Sequence, residues 1–199
     1  MATNRKRISG ETKKGNRRSS ARRNNPFPIW LGVALAAGLI VVVALIAANL
    51  SRAPVGEIAG VQAYPNLDRS HTDGTVNYSQ VPPVGGQHNP VPQNCGVYTQ
   101  PVTNENAVHS LEHGAIWITY QPDLPADQLK TLQDITRQSA FRLLSPYPGI
   151  SSPIVVTAWG YQLHLDNATD PRLKQFIQKY EQKGPEPGAT CSGGMGNPG

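Results

Sequence analysis

The sequence lacks several motifs that carry enzyme chemistry. It has no Cys-x-x-Cys pair, no Gly-x-Ser-x-Gly element and no Gly-rich phosphate-binding motif. Sequence support is therefore absent for a thioredoxin-like oxidoreductase, a serine hydrolase and a nucleotide-binding enzyme. Internal repeats are absent too, and a length of 199 residues fits one globular domain with additional segments.

Charged residues are absent from Pro26 to Ser51. Within this stretch, twenty apolar residues follow one another from Ile29 to Ala48. As a helix they would cross a hydrocarbon core of about 30 Å, since each residue contributes about 1.5 Å. We therefore predict a transmembrane helix within residues 26–50. The competing interpretation is a cleaved signal peptide, whose apolar stretch is normally only about 7 to 15 residues long.

The net charge of +5 divides unevenly on the two sides of this stretch. Residues 1–25 hold nine basic side chains and one acidic one, a net charge of +8, whereas residues 51–199 hold nine basic and twelve acidic ones, a net charge of −3. Basic residues that flank a membrane helix favour a cytoplasmic location. The sequence thus predicts a single-pass protein of the cell membrane, with its N-terminus cytoplasmic, its C-terminal domain extracytoplasmic, and the lipid bilayer as its partner. Nucleic-acid binding is disfavoured, and no protein partner is indicated.

Changes in composition divide the chain into five predicted segments. These are a disordered basic cytoplasmic tail at 1–25, the transmembrane helix at 26–50, a tether at 51–75, an extracytoplasmic α+β domain at 76–187 and a flexible tail at 188–199. The last segment is rich in Gly and Pro, and long Pro- and Gly-rich stretches also occur at the start of the outer domain.

The outer domain alternates strand-like and helix-like patterns. β-branched and aromatic residues predict strands at Gly114–Tyr120, Ile154–Trp159 and Tyr161–Leu165. An approximate apolar stripe predicts a helix over Asp123–Leu144, and Asp170-Pro171 begins a second helix with a clean apolar face. We expect a small two-layer α+β domain, in which both helices pack on one face of a short mixed sheet.

The densest group of chemically active side chains is His109-Ser-Leu-Glu-His113. It matches His-x-x-Glu-His, in which a helix presents two histidines to Zn²⁺ and the glutamate activates a water. On a helix His109, Glu112 and His113 share one face, whereas on a strand the two histidines would be about 13 Å apart. Because a strand pattern begins at Gly114, we expect at most a single helical turn here and no long active-site helix.

We predict that His88, His109, Glu112 and His113 form one polar site that is a candidate for copper or zinc. Two alternatives remain open. The same residues could be an internal hydrogen-bonded brace in a structural or interaction module of the cell envelope, or Glu112 could be the general base of a small metal-dependent hydrolase. A role that is not enzymatic is favoured. His71 and His164 are assigned to the surface or to structure.

Both cysteines lie outside the predicted membrane segment. In an oxidising compartment, Cys95 and Cys191 most simply form a disulfide that joins the N-terminal loop to the C-terminal tail. The alternative is that Cys191 and Met195 supply soft sulfur ligands for Cu(I). No histidine lies between these two residues, so the spacing gives this copper site little support.

Four blocks of the outer domain resemble an uncharacterised bacterial family called domain of unknown function 3105. The blocks are Pro82-Pro-Val-Gly-Gly-Gln-His88, Val108-His-Ser-Leu-Glu-His-Gly114, Thr157-Ala-Trp-Gly160 and Lys183-Gly-Pro-Glu186. The resemblance covers roughly residues 60–187. It implies one membrane span followed by a single outer domain, and it supports grouping His88, His109, Glu112 and His113 in one site. It implies no activity.

Overall fold

The structure is a computed structural model that describes residues 38–42 and 57–199. Residues 38–42 are helical. No helix in these two ranges is both long and apolar enough to cross a membrane. The predicted basic tail and most of the predicted membrane segment lie outside the described residues, so both remain predictions.

The domain from residue 57 onward is built on a mixed sheet. Its strands are β1 (Gln62–Ala63), β2 (Gly96–Val97), β3 (Ile116–Tyr120), β4 (Arg142–Pro146), β5 (Ile154–Ala158) and β6 (Tyr161–Leu165). They are ordered β1-β6-β5-β3-β4-β2. The β2–β4 and β3–β4 pairs are parallel, and the β3–β5, β5–β6 and β1–β6 pairs are antiparallel. The prediction of an α+β domain with a mixed sheet is confirmed.

Helices cover both faces of this sheet. They are α1 (Asn104–Glu112), α2 (Ala126–Thr136) and α3 (Pro171–Tyr180). On one face, Ile116 and Ile118 of β3 belong to the main core with α2 and α3. On the other face, Trp117 packs with Leu111 of α1. Because neighbouring strand residues point to opposite faces, β3 is buried along its whole length. The two predicted helices do pack on one face, but α1 covers the other, so the expectation of only two layers is wrong.

The helix predicted over Asp123–Leu144 is also too long. Helix α2 ends at Thr136, and residues 142–146 form strand β4 instead. The apolar side chains of Leu143 and Leu144 continue the spacing of the helix, but each is buried on a different face of the sheet. Pairing of β4 between β3 and β2 therefore overrides the local helical pattern.

Both ends of the outer domain are hydrogen-bonded to the rest of the domain. Strand β1 lies in the segment predicted as a tether and pairs with β6. In the segment predicted as a flexible tail, the backbone N–H of Met195 donates to the Pro92 carbonyl and that of Gly199 to the Val97 carbonyl. These backbone hydrogen bonds attach both segments to the domain.

Candidate metal centre

Helix α1 carries a buried polar face where an apolar face would be expected. Its buried residues include Glu105, Asn106, His109, Ser110 and Glu112. Their partners are mainly backbone groups of the Pro-rich loop that lies along the helix, as in the 2.6 Å bonds from Asn106 to the Val91 carbonyl and from Ser110 to the Gln93 carbonyl. Helix α1 has nine residues and ends at Glu112, so the expectation of at most a single helical turn at His109–His113 is wrong. The pattern lacked an apolar stripe because this face binds a polar loop.

Four side chains converge above this helix and are called the inner cluster. They are His71, His88, His109 and Glu112. One ligand atom from each lies within 4.8 Å of all the others. The ring of His109 is 4.9 Å from that of His88 and 5.0 Å from that of His71, measured between centroids. Backbone hydrogen bonds from Thr72 to His88 and from His88 to Ser70 hold the two loop segments side by side.

The orientation of His88 is fixed at both ring nitrogens. Nδ1 lies 2.7 Å from the Gly86 carbonyl oxygen, and because a carbonyl only accepts, Nδ1 carries the hydrogen. Nε2 lies 3.0 Å from Oε2 of the buried Glu112 carboxylate. A lone pair on Nε2 would face the lone pairs of that oxygen, so either a proton lies between the two atoms or a metal cation lies beside them and binds both.

His109 is held in the same way. Its Nδ1 donates to the Asn89 carbonyl at 2.6 Å, which leaves Nε2 as the ring atom with a lone pair. Burial lowers the pKa of His109, and the neighbouring His113, His88 and His71 lower it further, against the raising effect of the bond to Asn89. Its neutral form, the one that binds a metal, is therefore favoured.

The Glu112 carboxylate is divided between two kinds of partner. Oε1 accepts a 2.6 Å hydrogen bond from Nε of Arg69, while Oε2 faces His88 at 3.0 Å and His71 at 4.0 Å. Arg69 is half exposed, whereas Glu112 is buried. Metal-binding carboxylates are commonly oriented by such an outer partner, and Oε2 is the oxygen available to an ion. Glu112 is 3% exposed, so solvent water has little access to it and it is poorly placed to act as a general base.

A second group, called the outer cluster, is formed by His109, His113 and Glu186. His113 caps the C-terminus of α1. Its Nδ1 donates to the Thr190 carbonyl at 2.6 Å, and its Nε2 lies 3.3 Å from Oε2 of Glu186. The centroids of the His109 and His113 rings are 4.5 Å apart. His109 therefore belongs to both clusters.

The structure brings together three of the four predicted metal ligands. His88, His109 and Glu112 lie in the inner cluster, whereas His113 lies on the other side of His109 with Glu186. His71, assigned from sequence to the surface or to structure, joins the inner cluster through loop packing that carries no local sequence signal. His164 lies apart from both clusters and contacts Ser152 through Nδ1 at 3.0 Å.

The predicted disulfide between Cys95 and Cys191 is confirmed, with 5.3 Å between the two Cα atoms. Cys191 is therefore oxidised and offers no thiolate, which removes the alternative Cu(I) site built on Cys191 and Met195. The Met195 sulfur accepts a hydrogen bond of 3.4 Å from Asn106. The disulfide also lies next to Thr190, whose carbonyl orients His113.

The four blocks that carry the family resemblance surround the two clusters. The first ends at His88 and the second contains His109 and Glu112. In the third, the Trp159 ring lies 5.6 Å from that of His88. In the fourth, the backbone N–H of Glu186 donates to the Glu112 carbonyl at 3.1 Å, which docks this block on the end of α1.

Comparison with known proteins gives one family match. The family model described as "Protein of unknown function (DUF3105)" matches residues 70–193, which contain every residue of both clusters. No curated protein and no solved structure matches the chain.

Proposed function

The chain belongs to the DUF3105 family of proteins of unknown function, and from this premise we propose that it is a membrane-anchored, extracytoplasmic protein that binds one divalent transition-metal ion at the inner cluster. The observation that carries the proposal is the 3.0 Å approach of His88 Nε2 to Glu112 Oε2, because two acceptors this close require either a cation bound to both or a proton between them. His109 and His71 add two further imidazoles around the same carboxylate.

The donor set agrees with zinc or Cu²⁺. Three imidazole nitrogens and one carboxylate oxygen are ligands that both ions accept, and the absence of a thiolate in the cluster disfavours Cu(I). In a tetrahedral zinc site the ligand atoms are about 3.4 Å apart, because each lies about 2.0 to 2.1 Å from the ion. The observed limit of 4.8 Å requires side-chain shifts of about an ångström on binding. His71, which is 48% exposed, is the ligand with most room to make them.

The supporting contacts also resemble those of metal sites. Histidine ligands usually donate their second ring N–H to a carboxylate, a carbonyl or a water, which fixes the orientation of the ring. His88 and His109 both do so, through the carbonyls of Gly86 and Asn89. Their Nε2 atoms are thereby directed into the cluster before any ion arrives.

Metal analysis of the full chain tests this proposal. The protein is purified in a mild detergent without a polyhistidine tag, equilibrated with Zn²⁺ or Cu²⁺ in the presence of a weak chelator, and analysed by mass spectrometry. The expected content is about one ion per chain, because the four ligand atoms of the inner cluster lie within 4.8 Å of one another and complete one four-coordinate site. The variant His88→Gln should lose the ion, and the matched control His164→Gln should keep it. Equal metal content in the wild type and His88→Gln would reject the proposal.

The second candidate is a metal-free brace in a cell-envelope module. It is favoured by the finding that every buried side-chain nitrogen and oxygen in residues 38–42 and 57–199 has a hydrogen-bond partner. In this case a proton lies between His88 and Glu112, and the pair stabilises the loop on α1. His109→Ala should then lower the melting temperature equally with and without added metal, and a chelator should leave the wild type unchanged.

The location outside the cytoplasm is supported by the disulfide, because such bonds persist in oxidising compartments. The apolar stretch from Ile29 to Ala48 supports the anchor. Both points are tested by expressing the full chain in a bacterium. The protein should stay in the membrane after carbonate extraction, retain its N-terminal residues, and be degraded by protease added to spheroplasts. Release of a shortened chain into the soluble fraction would instead indicate a cleaved signal peptide.

A further inference from the structure

The outer cluster is more open to solvent than the buried core of the inner one. His113 and Glu186 are 11% and 49% exposed, whereas His88 and Glu112 are 0% and 3% exposed. His113 also has the arrangement of a metal ligand, because its Nδ1 is held by the Thr190 carbonyl and its Nε2 faces a carboxylate oxygen.

His109 links the two clusters and limits what they can bind together. Its Nδ1 is engaged by the Asn89 carbonyl, so it has one lone pair, on Nε2, for use as a ligand. One lone pair binds one ion. The inner and outer clusters therefore cannot both be completed by His109 at the same time.

We propose that His109, His113 and Glu186 form a second divalent-metal site facing the solvent, through which the ion reaches and leaves the inner cluster. This proposal rests on metal binding at the inner cluster, as proposed above. The ion first binds His113 and Glu186, then His109, and passes inward as His88 and Glu112 replace the two outer ligands. His109 remains bound through the exchange.

The competing route passes the half-exposed His71 and bypasses the outer cluster. The two routes differ in kinetics rather than in affinity. If the outer cluster is the route, loss of one of its ligands slows uptake and release together and leaves the final affinity unchanged. If the ion passes His71 directly, substitutions in the outer cluster leave both rates unchanged.

The experiment measures Zn²⁺ stoichiometry and exchange in the full chain, in detergent and without a polyhistidine tag. Release is followed by stopped-flow mixing with a chromogenic chelator, and uptake by mixing the metal-free protein with a Zn²⁺–indicator solution. The variants are His113→Gln and the isosteric Glu186→Gln. Glu186 is 49% exposed, so its substitution should leave the fold intact. His164→Gln is the control.

The wild type should bind about one Zn²⁺, since His109 offers one lone pair. Both outer variants should exchange Zn²⁺ about tenfold more slowly, which corresponds to an exchange barrier about 1.4 kcal/mol higher. Two ions bound at once, or unchanged exchange rates in Glu186→Gln, would overturn the exchange route while leaving the inner site intact. A wild type that binds no Zn²⁺ would reject both proposals.

Discussion

Nε2 of His88 and Oε2 of Glu112 lie 3.0 Å apart with both side chains buried. His88 comes from a Pro- and Gly-rich loop and Glu112 from the last turn of α1, so the pair joins the two segments that carry most of the candidate ligands. In a metal site both atoms bind one ion, whereas in a brace they share a proton. The first two predictions distinguish these two cases.

His71→Gln distinguishes the two interpretations with little effect on folding. His71 is 48% exposed, so its loss should leave the stability of the metal-free protein within about 0.5 kcal/mol of the wild type. If His71 is a ligand, its loss should weaken Zn²⁺ binding at least as much as the loss of a residue that only orients a ligand, which costs about 10- to 100-fold in affinity. Isothermal titration calorimetry measures the affinity. A Zn²⁺ affinity equal to that of His164→Gln would assign His71 to the surface.

Arg69→Gln should weaken metal binding without removing a ligand. Arg69 donates to Oε1 of Glu112 at 2.6 Å and thereby orients Oε2 toward the histidines. We expect the Zn²⁺ affinity to fall about 10- to 100-fold, as is typical when a partner that orients a ligand is removed. The check is a chelator-competition titration beside Arg137→Gln, an exposed arginine distant in sequence. An affinity unchanged from that control would contradict the proposed orienting role.

The disulfide should contribute strongly to stability. Cys95 and Cys191 are separated by 96 positions, and closing a loop of this length corresponds to about 4.7 kcal/mol in the chain-entropy model. The double variant Cys95→Ala/Cys191→Ala should therefore unfold at a lower urea concentration than the wild type. Unfolding is monitored by the fluorescence of the buried Trp117. Hydrogen exchange should show faster exchange of the Met195 and Gly199 amides, whose partners are the carbonyls of Pro92 in the loop and Val97 in β2. A loss of stability below about 1 kcal/mol would indicate that the tail is held mainly by other contacts.

Asp170 should make helix α3 sensitive to acid. Its carboxylate accepts from the backbone N–H of Arg172 at 2.9 Å as the N-cap. The side-chain hydrogen bonds of Arg172 lower the pKa of Asp170 below its usual range, and its backbone bond and charge act in the same direction against the effect of burial. Since the pKa is lower in the folded state, this stabilisation is present above about pH 3.9 and is lost as the pH falls through the folded-state pKa.

Two substitutions separate the cap of α3 from its charge. Asp170→Ala removes the cap and should cost about 1 kcal/mol at neutral pH. Asp170→Asn keeps a capping oxygen, so it should lower the stability by less than Asp170→Ala does. The difference in stability between Asp170→Asn and the wild type should shrink as the pH is lowered below about 3.9. Thermal melting at several pH values measures both effects. A difference between the wild type and Asp170→Asn that is constant with pH would contradict the assigned pKa direction.

The sequence predicted most elements whose pattern is apolar, mistook β4 for the end of a helix, and missed α1, whose pattern is polar. Strands β3, β5 and β6 and the start of α3 could be recognised because β-branched runs, apolar spacing and Asp170-Pro171 are local signals. Helix α1 was not recognised, since its buried face carries Glu105, Asn106 and Ser110. These residues are satisfied by a distant loop, which no local pattern reveals.

The candidate site shows the same division. His88, His109 and Glu112 were grouped through short motifs and a family resemblance, and the structure places them within one cluster. His71 and Arg69 were missed because they reach Glu112 from a segment 40 or more residues earlier in the chain, which is paired with His88 by a single backbone bridge. Such contacts depend on tertiary packing and have no signature in spacing.

Gly184 should control the position of Glu186 in the outer cluster. A Cβ atom added at Gly184 would lie 2.1 Å from the Glu112 carbonyl oxygen and 2.4 Å from the Gly114 nitrogen, so any side chain forces this segment away from the end of α1. Gly184→Ala should therefore lower the stability by about 1 to 3 kcal/mol, the usual cost of overpacking. It should also break the bond from the Glu186 N–H to the Glu112 carbonyl and separate Glu186 from His113. The control is Gly74→Ala, where the added atom meets only the Thr72 hydroxyl at 3.4 Å. Equal melting temperatures for the two variants, or an unchanged Zn²⁺ release rate in Gly184→Ala, would show that the contact between this segment and α1 does not hold Glu186 in place.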